Sequence, residues 1–340
     1  MEPINVFDYE PLARRRIEPS AWDYYRSGSD DEVTLRANRE AFQRIRLRPR
    51  VLVDVTRCET STSVLDIPVS MPILLAPTAF HKLAHPDGEC ATAQGAGRAG
   101  TLMVASTSST CSLEEIAQAA SGPLWFQLYI HNRRSAEELI ARAAGAGYRA
   151  LVVTVDSPRW GRKEASIRSG FHLPPHLKKG NFPDGDPSQI DATLTWESVN
   201  WLRSRTRLPI VLKGILTAED ARLAVEHGVE GIVVSNHGGR QLDGVAASVE
   251  ALPEVVAAVH GSCEVYVDGG VRRGTDVLKA LALGARAVLI GRPYLWGLAV
   301  GGASGVFDVL RLLRDELEHA MALAGRATLA SIDQTLVRMV

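Results

Sequence analysis

From residue 70 onward the chain repeats one unit: a short apolar run, a small or polar turn, then a segment with apolar positions at helical spacing. The apolar runs are Ile73–Ala76, Thr101–Ala105, Leu124–Leu128, Ala150–Val155, Pro209–Leu212, Gly231–Val234, Glu264–Val267 and Ala287–Ile290. Runs that are apolar at nearly every position suit strands of a parallel sheet covered by helices. Helices are predicted over Glu89–Ala99, Leu113–Ala119, Ala136–Ala144, Trp196–Arg205, Ala218–His227 and Gly274–Leu283. Thr217 before Ala218-Glu219-Asp220 reads as an N-cap with acidic residues in the first turn, where the helix dipole favours them. Eight such units predict an α/β fold, a single (β/α)8 TIM barrel; a doubly wound open sheet shares the alternation.

Residues 1–69 read as an N-terminal extension of short helices and turns, 70–300 as the barrel and 306–324 as a final amphipathic helix. The stretch 169–195, rich in Gly, Pro and Asp, follows the fourth strand and is expected to form a lid-like loop over the barrel mouth. A barrel of this kind needs about 250 residues, so 340 residues allow one barrel with extensions. At 46% hydrophobic and 23% charged residues the composition is that of a globular protein. A net charge of −1 argues against nucleic acid or an anionic membrane as the main partner. Cys58, Cys90, Cys111 and Cys263 are scattered without metal-ligand spacing and read as free thiols of a reducing compartment. No basic-then-apolar leader opens the chain, and no apolar run reaches the roughly 18 residues of a membrane span. The ending Arg338-Met339-Val340 is not a peroxisomal address, so a soluble, cytoplasmic protein is expected.

The residues that close the strands carry the chemistry. In order they are Pro77-Thr78-Ala79, Ser106, Gln127 with Tyr129, Thr154 with Asp156, Lys213, Ser235 with His237 and Arg240, Asp268-Gly269-Gly270 with Arg272, and Gly291-Arg292. In a barrel of this type the catalytic face lies at the C-terminal ends of the strands, and the last two loops commonly hold phosphate. Asp268–Gly274 and Gly291-Arg292 fit that role, with backbone N–H groups approaching an anion and guanidinium forks holding it. Lys213 ends an apolar strand, which is costly unless an anion meets it. His237 sits in Ser235-Asn236-His237-Gly238-Gly239-Arg240, so a base of near-neutral pKa stands beside a guanidinium suited to a carboxylate. Asp156 is placed to pair with the imidazolium and raise its pKa.

Two look-alikes do not survive inspection. Gly95-Ala96-Gly97-Arg98-Ala99-Gly100 matches a dinucleotide fingerprint by letter but ends a helix and precedes a strand, the wrong order. His81 and His85 are spaced like a zinc pair, yet Pro86 follows and the glutamate is missing, so no metal is assigned.

Over nearly its whole length, from Trp22-Asp23-Tyr24-Tyr25 to the final helix, the chain resembles the FMN-dependent 2-hydroxy acid oxidases and dehydrogenases, such as glycolate, lactate and hydroxymandelate oxidases. The segment Ser235–Asp243 is close to that family's signature. The resemblance implies that FMN contacts Pro77, Thr78, Ala79, Ser106, Gln127, Thr154, Lys213, Ser235, Asp268, Gly270, Arg272, Gly291 and Arg292. It implies a substrate carboxylate between Arg240 and Tyr24, a hydrogen bond from Tyr129, His237 as base and Asp156 as its partner. It further implies an (S)-2-hydroxy acid as substrate, O2 as acceptor with release of H2O2, and a family that often forms homotetramers.

Three departures stand out. Many members carry two arginines where this chain has Arg162 and Lys163, and Lys163 offers no fork to a substrate. Glycolate-type members have tryptophan where Ser108 stands, which implies a roomier pocket suited to an aromatic acid such as mandelate or 4-hydroxymandelate. The loop after the fourth strand lacks the membrane-binding insertion of mandelate dehydrogenases. Alternatives stay open at this stage: a dehydrogenase passing electrons to a quinone or protein, an isomerase or aldolase barrel with Lys213 as nucleophile, and a barrel that only binds phosphate.

Overall fold

The computed structural model describes residues 3–182 and 190–340. Eight parallel strands form a closed ring: β1 Ile73–Leu75, β2 Met103–Ser106, β3 Leu124–Leu128, β4 Leu151–Thr154, β5 Ile210–Ile215, β6 Gly231–Val234, β7 Glu264–Asp268 and β8 Ala287–Ile290. Neighbours follow chain order and β8 pairs back onto β1, so the ring has no free edge and the open-sheet alternative is excluded. Runs three, six and eight match their expected bounds; the others differ at their ends.

Side chains alternate across the ring. One set, with Leu74, Val104, Trp125, Val152, Val211, Val233, Tyr266 and Leu289, fills the interior as a cluster of its own. The other set, including Ile73, Met103, Phe126, Val153, Leu212, Ile232, Val267 and Val288, belongs to the larger core shared with the helices. Val64, Ile67 and Val69, from the hairpin Thr62–Val64 with Ile67–Val69, join the interior cluster. The interior is therefore a packed core below and a polar layer above, which is what lets a site form at one end.

Outer helices occupy every expected segment, with ends differing by a few residues at most. One helix that the periodicity does not single out, Ser248–Val259, carries Pro253 within it. The N-terminal extension holds helices Val6–Arg14, Pro19–Arg26 and Val33–Gln43, and Ile45–Leu47 pairs with Val337–Met339 near the other end of the chain. Of the loop expected over 169–195, residues 183–189 lie outside the described residues; of the rest, Gly170, Phe171, His172 and Lys179 line the cavity at the barrel mouth.

The final helix departs from expectation. It starts at Arg292, well before residue 306, and runs to Leu323 with a break at Gly301 and Gly302. By length and composition it could cross a membrane, which the reading of apolar runs missed, but 56% of its most apolar stretch is buried. It is covered by the helices Val6–Arg14, Gly88–Arg98 and Gly274–Ala282, as a core helix would be. Its two halves fold back on each other so closely that a Cβ on Gly297 or Gly305 would overlap the other's carbonyl group. Gly305→Ala is expected to cost about 2–3 kcal/mol through overpacking, whereas Gly301→Ala, with open space around it, should leave the thermal midpoint unchanged or slightly raised. Melting the two variants beside the parent checks this.

Candidate active site

The alternation that fills the ring also builds the site. Two residues beyond Val104, Trp125, Val152, Val211, Val233 and Tyr266 come Ser106, Gln127, Thr154, Lys213, Ser235 and Asp268. A step of two returns a strand to the same face, so these six polar side chains form the next interior layer. They are hydrogen-bonded to one another. Ser106 Oγ donates to Gln127 Oε1 at 3.1 Å, and Gln127 Nε2 donates to Thr154 Oγ1 at 3.0 Å. Lys213 Nζ donates to Ser235 Oγ at 3.0 Å and pairs with Asp268 Oδ2 at 3.3 Å, with both charged side chains buried.

A further step of two along three of these strands reaches Tyr129, Asp156 and His237. His237 Nδ1 faces Asp156 Oδ1 at 3.0 Å, and its Nε2 lies 3.3 Å from the Tyr129 hydroxyl. The backbone of His237 is held at φ 60°, the left-handed region, where its N–H donates to Ser235 Oγ. A non-glycine residue there is strained, and such strain is tolerated where the surroundings fix a side chain for a purpose. Room for Asp156 comes from Gly214 in β5, where the ladder slips; a Cβ at that position would stand 2.6 Å from Asp156 Cβ. Sequence reading passed over Gly214, because its value depends on a neighbour that only the closed ring supplies.

Electrostatics settle the protonation states. Burial pushes the His237 imidazole down more strongly than Asp156 pushes it up, and Lys213 and Arg240 add to the lowering. Asp156 thus raises the imidazole as expected, but burial outweighs it, so His237 is neutral at pH 7, with Nε2 able to act as a base. Burial pushes the Asp156 carboxyl up, but the His237 ring and its hydrogen bond, with Lys213 and Ser157, outweigh it and hold it below its ordinary range. Burial raises the Tyr129 phenol, so it stays protonated.

Above this layer lies a cavity of about 820 Å³. Its walls include Tyr24, Pro77, Thr78, Ala79, Ser106, Ser108, Tyr129, Lys163, Lys213, His237, Arg240, Asp268, Gly270, Arg272, Gly291 and Arg292. Gln127, Thr154, Ser235 and Asp156 stand behind that wall and act through the bonds just described. Phe80, Trp160, Ile167 and Phe171 also line the cavity and were not anticipated. Tyr24 stacks on Phe171 with ring centroids 4.4 Å apart, and the Arg240 guanidinium lies 5.0 Å over the Tyr24 ring. Arg240 Nη1 donates to the carbonyls of Tyr24 and Ser27 at 2.6 and 2.9 Å. Lys163 Nζ donates to the Gly161 carbonyl at 3.0 Å, and burial with Arg240 nearby pushes its pKa down to about 8.

At the far end, burial lowers Arg272 to about 10 and Arg292 to about 9. Arg272 Nη1 donates to the Val271 carbonyl, while Arg292 donates to the carbonyls of Tyr25, Ser27 and Gly238. Neutral carbonyls compensate a buried guanidinium poorly, so this end of the cavity favours an anion.

A family model described as FMN-dependent dehydrogenase matches residues 13–339. The chain belongs to the FMN-dependent dehydrogenase family. It is 51% identical to glycolate oxidase 1 of Zea mays, with 97% of this chain and 94% of that protein covered. It is 52% identical to L-lactate oxidase of Nostoc sp. (strain PCC 7120), covering 99% of this chain and 98% of the other. Among solved structures, a mandelate oxidase variant with (S)-mandelic acid matches with a TM-score of 0.94 at 45% identity, covering 99% and 98% of the two chains. A soluble mutant of the membrane-associated (S)-mandelate dehydrogenase from Pseudomonas putida matches with a TM-score of 0.96 at 38% identity over the full length of both.

FMN is therefore the cofactor, and the residues present fit it. Asp268 Oδ1 is buried with no hydrogen-bond partner among the described residues, an acceptor that a hydroxyl of bound FMN would satisfy. The two part-buried arginines would hold a phosphate, and the Ser106–Gln127–Thr154 chain would offer donors and acceptors to a flavin edge. The site generates one prediction about its own charges. Because Asp156 raises the imidazole, Asp156→Asn lowers the His237 pKa further. NMR titration of the histidine ring in the holoprotein reads this, and an unchanged or raised value would contradict the arrangement.

Proposed function

We propose that the chain is an (S)-2-hydroxy acid oxidase that passes electrons to O2 and takes bulky or aromatic acids such as mandelate or 4-hydroxymandelate. The reaction class, FMN-dependent oxidation of a 2-hydroxy acid to the 2-oxo acid, follows from the family and its glycolate, lactate and mandelate relatives. The observation that carries the assignment of residues is the neutral His237, ordered by Asp156 on one side and facing Tyr129 on the other, in the wall of the cavity.

Oxidising CH–OH to C=O releases an electron pair and two protons. Bound FMN would supply the acceptor for the electron pair together with the second proton. His237 Nε2 takes one proton, while Asp156 holds Nδ1–H and so stabilises the imidazolium that forms. Tyr129 keeps its proton and donates a hydrogen bond to the substrate's 2-oxygen. Arg240 and Tyr24 receive the carboxylate, with Lys163 adding positive charge nearby. Pro77, Thr78, Ala79, Ser106, Gln127, Thr154, Ser235, Gly270 and Gly291 line or support the cofactor. Lys213 would place an ammonium beside the bound cofactor, stabilising it when it accepts electrons, and Arg272 with Arg292 would hold its phosphate. Ser108 is small and buried at the cavity wall, and the nearby apolar surface of Phe80, Trp160, Ile167 and Phe171 favours a large side chain over a bare glycolate.

A second reading has one observation behind it: the match to an (S)-mandelate dehydrogenase. Peroxide formed in equal amount to 2-oxo acid under air supports the oxidase; product made only with an added quinone or dye supports the dehydrogenase.

His237→Ala is expected to retain FMN and lose about 10³-fold in the rate at which a hydroxy acid reduces it; rapid bleaching of the variant would overturn the assigned base. Ser108→Trp should shift kcat/KM toward glycolate and away from mandelate, and an unchanged ratio would remove the pocket argument. The pH profile follows from two shifts of known sign. His237 must be neutral, so kcat/KM rises with pH through a pKa below the usual histidine value. Lys163 must be charged, so kcat/KM declines again above about pH 8, and Lys163→Arg moves that alkaline limb upward.

A further inference from the structure

Glu89 is a fully buried carboxylate with no part in the chemistry derived above. Four donors converge on it. Oε1 accepts the backbone N–H of His81 at 2.9 Å and that of Thr110 at 2.8 Å, while Oε2 accepts the Thr110 hydroxyl at 2.6 Å and the Cys111 N–H at 3.0 Å. An ionised carboxylate accepts at both oxygens and donates at neither, so glutamine, its isostere, would set an amide N–H against two of the four donors. His81 belongs to the loop after β1, and Thr110 and Cys111 to the loop after β2. Glu89 therefore ties together the two loops that bring Phe80 and Ser108 to the cavity wall.

The second of these loops is also held by Asn181, which is buried too. Its Oδ1 accepts the N–H of Leu113 at 2.9 Å, and its Nδ2 donates to the carbonyls of Thr107 at 3.0 Å and Ser106 at 3.3 Å. Beside it, Gly180 donates its N–H to the Ser109 carbonyl at 2.9 Å, and a Cβ on Gly180 would stand 2.3 Å from the Cys111 backbone. Within the loop so anchored, the Ser108 carbonyl accepts the Phe80 N–H at 3.2 Å. Phe80 is held at φ 62°, in the left-handed region. A strained residue and its neighbour on the wall keep their places because hydrogen-bonded buried groups fix the backbone around them.

We propose that Glu89 and Asn181, both standing behind the cavity wall, set the selectivity for the substrate's side chain by fixing Phe80 and Ser108. They are positioning residues, and the proposal rests on the reading that Ser108 faces that side chain. In the ring, β2 stands opposite β6, which carries His237 and Arg240 at its end. A small displacement of the Ser108 wall therefore leaves the base and the carboxylate clamp in place and changes only what the far end of the substrate meets. An aromatic side chain that packs on the wall loses contact, whereas the methyl group of lactate does not reach it. Contacts made equally before and during the reaction show in KM and not in kcat.

The test measures kcat and KM for (S)-mandelate and (S)-lactate in the holoenzyme and its variants. Glu89→Gln breaks the match to the four donors, and Asn181→Asp keeps the bond to Leu113 while setting an oxygen against the Thr107 and Ser106 carbonyls. Thr110→Val removes one donor to Glu89 and stands in should Glu89→Gln not fold. The ratio of kcat/KM for mandelate to that for lactate is expected to fall about tenfold in Glu89→Gln and Asn181→Asp, and less in Thr110→Val. The loss lies in KM for mandelate, with FMN retained and kcat for lactate nearly unchanged. A role confined to stability lowers the thermal midpoint and treats the two acids alike. That result, or an unchanged ratio in every variant that holds FMN, overturns the proposal. Ser108→Trp separates this failure from that of the pocket reading. A ratio that moves in Ser108→Trp alone sinks the positioning role and leaves the pocket standing; one that moves in no variant removes both.

Discussion

A lysine ammonium and an aspartate carboxylate face each other at 3.3 Å inside a closed ring of strands, and one oxygen of that carboxylate has no partner among the described residues. Two charges in such a place are expensive, because desolvation offsets most of their attraction. The arrangement makes sense when a ligand completes it, offering a hydroxyl to Asp268 and receiving charge from Lys213. FMN does both. The ring is what makes this possible, since strands far apart in the chain deliver the two side chains to the same depth.

That delivery follows a simple rule. On six of the eight strands, the interior position above a packed apolar residue is polar, and a further step of two on three of them reaches Tyr129, Asp156 and His237. The packed core, the polar layer above it and the layer of Tyr129, Asp156 and His237 are successive steps of one period-two pattern. The stability of the barrel and the placement of the site are therefore not separate designs. The apolar layer of Trp125, Val152, Val211, Val233 and Tyr266 is the floor on which the hydrogen-bonded chain of Ser106, Gln127 and Thr154 rests.

Much of this is legible in the sequence. Buried parallel strands read as unbroken apolar runs, and the polar residues that end them stand out for that reason. What escaped has identifiable causes. The helix Ser248–Val259 hides behind Pro253, its sixth residue, which lacks the N–H an inner helical position uses and so reads as a break. The last helix was placed too late because its glycine-rich middle, Gly301-Gly302, looks like a boundary when it is a break between two packed halves. That burial outweighs Asp156 at His237 was not legible, because a carboxylate partner is visible in sequence and the depth of burial is not. Gly214 and the bridge from Glu89 to Thr110 depend on contacts between elements, about which neither periodicity nor spacing carries a signal.

The account stands on one spatial claim: base, carboxylate clamp and flavin cradle surround a single substrate. The most direct measurement is an anaerobic titration of the purified yellow protein with each enantiomer of mandelate, followed by its visible spectrum. The account predicts complete bleaching of the flavin by one equivalent of the (S) acid and none by the (R) acid. A protein that carries flavin yet stays oxidised with every 2-hydroxy acid offered, or one that binds no flavin, would contradict it.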